Sequence, residues 1–88
     1  MNKISEYSPL GQYLEKQSLQ GNIQVSLSFQ EIERIINREL PPTARNNKNW
    51  WANSRTEKSR QCSAWLNYGW SKHQVDLKKE VVIFIYEN

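Results

Sequence analysis

The sequence predicts an α+β fold in a single small domain, with the element order of a winged helix-turn-helix. A length of 88 residues allows one modest hydrophobic core. Aromatic residues make up 11% of the chain although its mean hydropathy is −0.84, and this aromatic content favours a folded domain over a disordered one. The third observation is the order of the predicted elements, which is helix, strand, helix, loop, helix and a closing hairpin.

Local signals near the start of the chain predict a helix followed by a strand. We expect residues 1–6 to be frayed. Ser8 is a typical N-cap residue and Pro9 is favoured at the first helical position, so the first helix is predicted from Pro9 to about Gln17. Apolar and polar residues then alternate over 23–27, which is typical of a half-buried strand.

A capping box predicts the start of the second helix. Ser28 can accept a hydrogen bond from the backbone N–H of Glu31, and the Glu31 carboxylate can accept one from the backbone N–H of Ser28. The helix should end near Arg38, because Pro41 and Pro42 lack backbone donors and restrict the residues that precede them. Its apolar stripe consists of Phe29, Ile32, Ile35 and Ile36.

The second half of the chain predicts a loop, a third helix and a β-hairpin. Residues 43–54 show no periodicity and are predicted to form a loop. A second capping-box pattern begins at Ser54 and opens a helix that runs to about Tyr68, with Gly69 in the left-handed conformation after it. Apolar runs on both sides of a charged turn then predict the hairpin over 70–86.

Positive charge is concentrated in one region of the chain. The formal net charge of the whole chain is +3, whereas residues 43–60 hold five basic residues and one acidic residue, a net charge of +4. Nucleic-acid binding requires such concentration, because several cations must meet phosphates together to release counterions. The same region holds asparagine, serine and threonine side chains that can donate hydrogen bonds to phosphates or base edges.

A nucleic-acid interface is therefore predicted on the basic loop and the third helix, with duplex DNA favoured over RNA. One face of this helix is polar, and in a helix-turn-helix it would be the recognition helix, while the hairpin tip would be a wing that contacts phosphates. A solvated helix face and a charged turn are the ordinary structural interpretation of the same residues. The candidate residues are Arg45, Lys48, Asn53, Arg55, Thr56, Lys58, Arg60, Ser63, Asn67, Lys78 and Lys79.

The tryptophan pair Trp50 and Trp51 leaves two interpretations open. Adjacent side chains cannot both face the core from a regular strand or helix. Either one tryptophan lies in the core and the other covers the core edge, or one is exposed. An exposed tryptophan would stack on a base or anchor a partner protein.

Several classes of function lack support in the sequence. A single cysteine, Cys62, excludes a disulfide scaffold and a multi-cysteine zinc site, and His73 has no second ligand nearby. No apolar run is long enough to span a membrane, and the start of the chain lacks the apolar segment of a signal peptide, so the expected location is the cytoplasm. We expect no metal, no cofactor, no catalytic residue and no membrane contact, in a protein that is not an enzyme.

Six short motifs are spread over most of the chain. They are YxPL from Tyr7, LSFxEIE from Leu27, LPxxAR from Leu40, WWAN from Trp50, QxxAWLxxGW from Gln61 and VDL from Val75. Together these motifs resemble a family of small uncharacterised bacterial and phage domains. The resemblance implies a binding module more than a catalyst, because the family's domains look like ones that occur alone or attached to larger DNA-related proteins. It assigns no role to an individual residue.

Two further hypotheses concern protein partners. The chain could be a protein-interaction module, for example a phage or mobile-element inhibitor that occupies a nucleic-acid-binding defence enzyme. It could also form a homodimer through the terminal hairpin, since the run VVIFIYE from Val81 is apolar and, as a sheet edge, would need cover.

Overall fold

The computed structural model describes residues 7–53 and 62–87. Two predictions, the frayed start over 1–6 and the beginning of the third helix over 54–61, lie outside the described residues. The helical elements are α1 (Ser8–Leu19), α2 (Phe29–Ile36), α3 (Pro42–Asn46), a 3₁₀ turn (Lys48–Trp51) and α4 (Ser63–Leu66), and the strands are β1 (Gln24–Ser28), β2 (Trp70–Asp76) and β3 (Val81–Tyr86).

The described strands form one antiparallel sheet in the order β1-β3-β2. Val25 of β1 lies opposite Phe84 of β3, and Val82 of β3 lies opposite Val75 of β2. These four side chains are buried, so the helices cover this face of the sheet. The α+β architecture predicted from the sequence is confirmed. No helix in the described ranges is long and apolar enough to cross a membrane.

Helix α1 begins one residue earlier than predicted and ends two residues later. Tyr7 occupies the N-cap position without a side-chain hydrogen bond, and Ser8 is already helical. Pro9 is therefore the second helical residue, a position where its missing N–H would have no helical acceptor in any case. The helix continues to Leu19, because nothing before Gly21 opposes helical backbone angles.

The junction between β1 and α2 confirms the predicted capping box. The Ser28 hydroxyl accepts the N–H of Glu31 at 3.0 Å, and the Ser28 N–H donates to the Glu31 carboxylate at 2.8 Å. The strand and helix adjoin without a loop, because Ser28 ends one and caps the other. Asn37 adopts the left-handed conformation with φ 59° and ends the helix close to the predicted boundary.

The segment predicted as a loop over 43–54 contains helical structure. Helix α3 and the 3₁₀ turn that follows it bury only Ala44 and Trp51. Helical turns of four or five residues cannot repeat an apolar position, so they leave no period of 3.6 residues in the sequence. The loop prediction was wrong for this reason.

The hairpin follows the prediction, whereas the described part of the last helix is shorter than predicted. Helix α4 covers Ser63–Leu66, and turns lie at Cys62 and over 67–69, although the predicted helix runs without a break to about Tyr68. Gly69 has φ 83° after α4, as expected for the residue that ends a helix. Strands β2 and β3 form the predicted hairpin, but β3 is the central strand of the sheet. The apolar run from Val81 is hydrogen-bonded on both sides, so the premise of a dimer through an exposed β3 edge is wrong.

Gly11 sets the distance between α1 and α4. A Cβ atom at this position would overlap the carbonyl oxygen of Ala64 and the ring of Tyr68. The overlap involves backbone as well as a side chain, so the two helices would have to separate to accept it. Gly11 is buried, and its lack of a side chain permits the close approach.

Gly11→Ala is therefore expected to lower the free energy of unfolding by about 1–3 kcal/mol, although alanine is the better helix former. Urea unfolding followed by tryptophan fluorescence measures the difference. Gln12→Ala changes an exposed neighbour in the same helix and should leave the stability within about 0.5 kcal/mol. A Gly11→Ala protein as stable as the wild type would show that the contact between the helices is looser than described.

Candidate nucleic-acid interface

Trp51 fixes the candidate segment 43–53 to the core. The side chain is fully buried, and its indole N–H donates to the backbone carbonyl of Ala44 at 2.8 Å. The ring stacks between Phe29 of α2 and Trp65 of α4, with centroid distances of 5.4 and 6.0 Å. Trp51 therefore joins three helical elements and is not available to stack on a base.

Trp50 lies at the margin of the same aromatic cluster. Its ring meets Trp51 edge-on at a centroid distance of 4.7 Å and Tyr7 edge-on at 5.6 Å. The side chain is partly buried. This arrangement corresponds to the first of the two interpretations of the pair, in which one tryptophan lies in the core and the other covers the core edge.

The side-chain amide of Asn53 bonds to β2 and to α4. The amide oxygen accepts the backbone N–H of Lys72 and the indole N–H of Trp65, both at 2.9 Å. The amide nitrogen donates to the carbonyl of Lys72 at 2.9 Å. Asn53 thus bonds to the edge of β2 as a residue of a neighbouring strand would, and three hydrogen bonds hold its side chain within the protein.

Arg45 is held by two carboxylates and an aromatic ring. Its guanidinium donates to Glu33 of α2 at 2.8 Å and to Glu80 of the β2–β3 turn at 2.9 Å. The same group lies 5.6 Å from the centre of the Phe29 ring, within the range of a cation–π contact. Arg45 therefore ties α3 to α2 and to the hairpin.

Glu33 is the acceptor at the centre of this network. One oxygen accepts the backbone N–H of Leu40 at 2.8 Å as well as the guanidinium of Arg45. The Leu40 hydrogen bond first, and the Arg45 hydrogen bond second, lower the pKa of Glu33, and the hydrogen bond to Glu33 raises the pKa of Arg45. Because two glutamates neutralise Arg45, the net charge of +4 in residues 43–60 overstates the charge that a phosphate would meet.

The remaining cations of the candidate set that the structure describes are exposed. Lys48 lies in the 3₁₀ turn, and Lys78 and Lys79 lie in the β2–β3 turn. None of the three forms an ion pair with another described residue. Asn67 is exposed immediately after α4. These four side chains are free to meet a ligand.

The hairpin tip has a fixed position relative to α2. The N–H of Phe29 donates to the carbonyl of Glu80 at 2.8 Å, and Glu80 adopts a left-handed φ of 56°. The N–H of Lys79 donates to the Asp76 carboxylate at 3.0 Å. The two lysines of the tip are therefore carried on a turn that the fold holds close to the start of α2.

Five candidates have side chains outside the described part of the structure. The side chain of Ser63 is not described, although its backbone begins α4. The residues on either side of the gap are well anchored, since Asn53 is bonded to β2 and Cys62 is buried. Four candidates fall outside the described residues: Arg55, Thr56, Lys58 and Arg60.

The sequence reasoning missed the glutamates that neutralise Arg45 and the hydrogen bonds that occupy Asn53. No local pattern reports either, because Glu80 is 35 residues from Arg45 and Lys72 is 19 residues from Asn53. The motif WWAN places Asn53 two residues after the buried Trp51, and its amide carries both donors and an acceptor, so a hydrogen-bonding role within the fold was compatible with the motif.

The accessible candidate side chains that the structure describes are amines and an amide. They are the ammonium groups of Lys48, Lys78 and Lys79 and the amide of Asn67, which can recognise anions and hydrogen-bonding partners. Cys62 is buried and His73 is exposed. In the parts of the chain that the structure describes, no group of three or more His, Cys, Asp or Glu side chains could hold a metal ion.

Comparisons with known proteins give one match. The family model described as "Domain of unknown function (DUF7662)" matches residues 7–86. No curated protein and no solved structure matches the chain.

The Glu33–Arg45 pair should make stability depend on pH. Because the folded protein lowers the pKa of Glu33 below its ordinary value of 4.5, the carboxylate stabilises the fold above that pH, and the contribution is lost as the pH falls through the folded pKa. Glu33→Gln should therefore cost about 1 kcal/mol at pH 7, and progressively less than that on acidification.

Urea unfolding of both proteins at several pH values between 7 and about 3 measures this difference. Glu15→Gln, on the exposed face of α1, is the matched control and should track the wild type at every pH. A difference between Glu33→Gln and wild type that is unchanged at acidic pH would contradict the assignment.

Proposed function

The chain belongs to the DUF7662 family of domains of unknown function, and we propose that it binds duplex DNA without catalysing a reaction. Contacts to phosphates supply most of the affinity. They come from the basic segment and third helix, within 48–67, and from the hairpin tip at Lys78 and Lys79. Arg45 and Asn53 are omitted from the binding set, because the fold already occupies both side chains.

The observation that carries this proposal is that Lys48, Lys78 and Lys79 are exposed cations without an ion pair among the described residues. Three acidic side chains beside the described candidates make contacts within the fold. Glu33 and Glu80 pair with Arg45, and Asp76 accepts the backbone N–H of Lys79. The lysines of the 3₁₀ turn and of the hairpin tip form no ion pair with another described residue, so their ammonium groups can meet phosphates.

The topology supports a winged-helix arrangement. A strand before a helical region, a hairpin after it and the sheet order β1-β3-β2 are compatible with the hairpin acting as a wing. One feature departs from the simple motif. The segment between α2 and the predicted third helix includes α3 and the 3₁₀ turn, whereas a helix-turn-helix has a turn of about three or four residues. The departure favours binding dominated by phosphates over close base reading by two adjacent helices.

A protein-interaction module is the second candidate function, and two exposed apolar side chains favour it. Leu19 and Ile23 are 81% and 68% exposed. In this alternative the domain inhibits a nucleic-acid-binding enzyme, such as a defence enzyme that a phage or mobile element must block. A stable protein complex that survives nuclease treatment, combined with no affinity for DNA, would favour this function over the first.

The DNA-binding proposal is tested by fluorescence anisotropy with a labelled duplex at about 50 mM and about 200 mM salt. Wild-type protein should bind at the lower salt concentration and lose affinity steeply at the higher one. The triple variant Arg55→Ala/Lys58→Ala/Arg60→Ala and the double variant Lys78→Ala/Lys79→Ala should each bind more weakly. Each lost phosphate contact should reduce the slope of log K against log salt by about one.

The matched control for charge is Lys16→Ala/Arg34→Ala, which removes two exposed cations from α1 and α2. It should leave affinity and slope close to those of the wild type. No binding at about 50 mM salt, or equal losses in the control and the candidate variants, would show that the protein has no such interface. Tighter binding to a single-stranded or duplex RNA of the same length would assign the site to RNA.

A further inference from the structure

The free side of β1 is an open sheet edge. β1 lies at one end of the order β1-β3-β2, and the N–H of Tyr86 donates to the carbonyl of Ile23 at 2.9 Å. Because antiparallel strands bond through alternate residues, this contact directs the backbone groups of Val25 toward β3 and those of Gln24 and Ser26 away from the sheet. Both of the latter residues are exposed, and no described element outside the sheet donates a backbone hydrogen bond to them.

On each side of the sheet a side chain takes some of the outward backbone groups. On β2, the N–H and the C=O of Lys72 are both bonded to the side-chain amide of Asn53. At the end of β1, the outward N–H of Ser28 is taken by the Glu31 carboxylate. The unpaired stretch of β1 is therefore confined to the backbone groups of Gln24 and Ser26.

The sequence of β1 lacks the features that usually protect an edge strand. The run from Gln24 to Ser28 is QVSLS, with no charged residue and no proline, both of which discourage pairing with another chain. The two most exposed large apolar side chains, Leu19 and Ile23, lie just before it in the chain. An extended strand from another chain could therefore add to this edge through backbone hydrogen bonds and place apolar side chains near Leu19 and Ile23.

We infer that the occupant of this edge is β1 of a second copy of the chain, in a homodimer with twofold symmetry. An antiparallel pair centred on Val25 places Gln24 of one copy opposite Ser26 of the other, so each outward N–H meets an outward C=O. The Ser28 N–H keeps its bond to Glu31. Although each chain carries a net charge of +3, no like charges meet at the strand pair, because QVSLS is uncharged.

This dimer forms through β1 and not through the terminal hairpin, and self-association is a property separate from the proposed DNA binding. It joins two three-stranded sheets into one sheet with the order β2-β3-β1-β1-β3-β2. Pairing over five residues is small beside the roughly 800 Å² per partner of a standard stable interface. Association is therefore expected to depend on protein concentration in the micromolar to millimolar range.

Sedimentation equilibrium over that concentration range tests the inference directly. Wild-type protein should pass from monomer to dimer. Ser26→Pro removes an N–H that faces the open edge and makes no bond to β3, so this variant should stay monomeric. Ser26→Ala is the matched control: it removes the side chain, retains the backbone N–H, and should dimerise as the wild type does.

Disulfide trapping provides an independent readout in case Ser26→Pro fails to fold. A hydrogen-bonded antiparallel pair has a Cα–Cα distance of about 5.5 Å, which a disulfide can bridge. A mixture of Gln24→Cys and Ser26→Cys chains should form a cross-linked dimer faster than either chain alone, while the native Cys62 is buried.

Three results would overturn the inference. They are a wild-type protein that is monomeric throughout the concentration range, a folded Ser26→Pro protein that dimerises as strongly as Ser26→Ala, and a cysteine mixture that cross-links no faster than the single variants. The DNA measurements are made on the same proteins, so loss of dimer with retained DNA binding separates this inference from the proposed function.

Discussion

The side-chain amide of Asn53 is the contact on which the geometry around the candidate interface depends. It accepts from Lys72 and Trp65 and donates to Lys72, which joins the end of the 3₁₀ segment to β2 and α4. Trp65 in turn packs against Trp51 and Phe84. A single polar side chain thereby bonds the backbone of Lys72 and the indole N–H of the buried Trp65, while the aromatic rings behind it fill the core. The residues that flank the basic segment 54–61 are held by the fold, because Asn53 is bonded to β2 and Cys62 is buried.

A division of roles between neighbouring residues follows from this arrangement. Three residues of 43–53 have structural contacts: Trp51 is buried, Trp50 packs against it, and Arg45 bridges two glutamates. The exposed lysines Lys48, Lys78 and Lys79 form no ion pair with another described residue, so a phosphate could contact them. The number of positive charges counted in a basic segment of the sequence is thus an upper limit on the number that can bind a ligand, because ion pairs within the protein neutralise some of them.

Much of the fold could be predicted from local sequence, and most of the site could not. The capping box at Ser28 and the apolar alternation of the strands are local signals, and both led to the observed elements. Helix α3 was missed because one buried alanine, Ala44, does not establish a period. Asn53 and Arg45 were assigned to a ligand because their partners, Lys72 and Glu80, lie far away in the sequence, and only the folded chain brings them together. The central position of β3 also depends on pairing between distant strands.

The central claim is that the side-chain amide of Asn53 holds β2 and α4 in place. NMR hydrogen exchange of the Trp65 indole N–H and the Lys72 amide, in wild-type and Asn53→Ala proteins, tests it most directly. Both protons should be protected in the wild type and should exchange much faster in the variant, together with a loss of about 2 kcal/mol in the free energy of unfolding. Asn67→Ala, at an exposed asparagine without these bonds, should change neither quantity. Unchanged protection and stability in Asn53→Ala would contradict the claim and return Asn53 to the candidate binding residues.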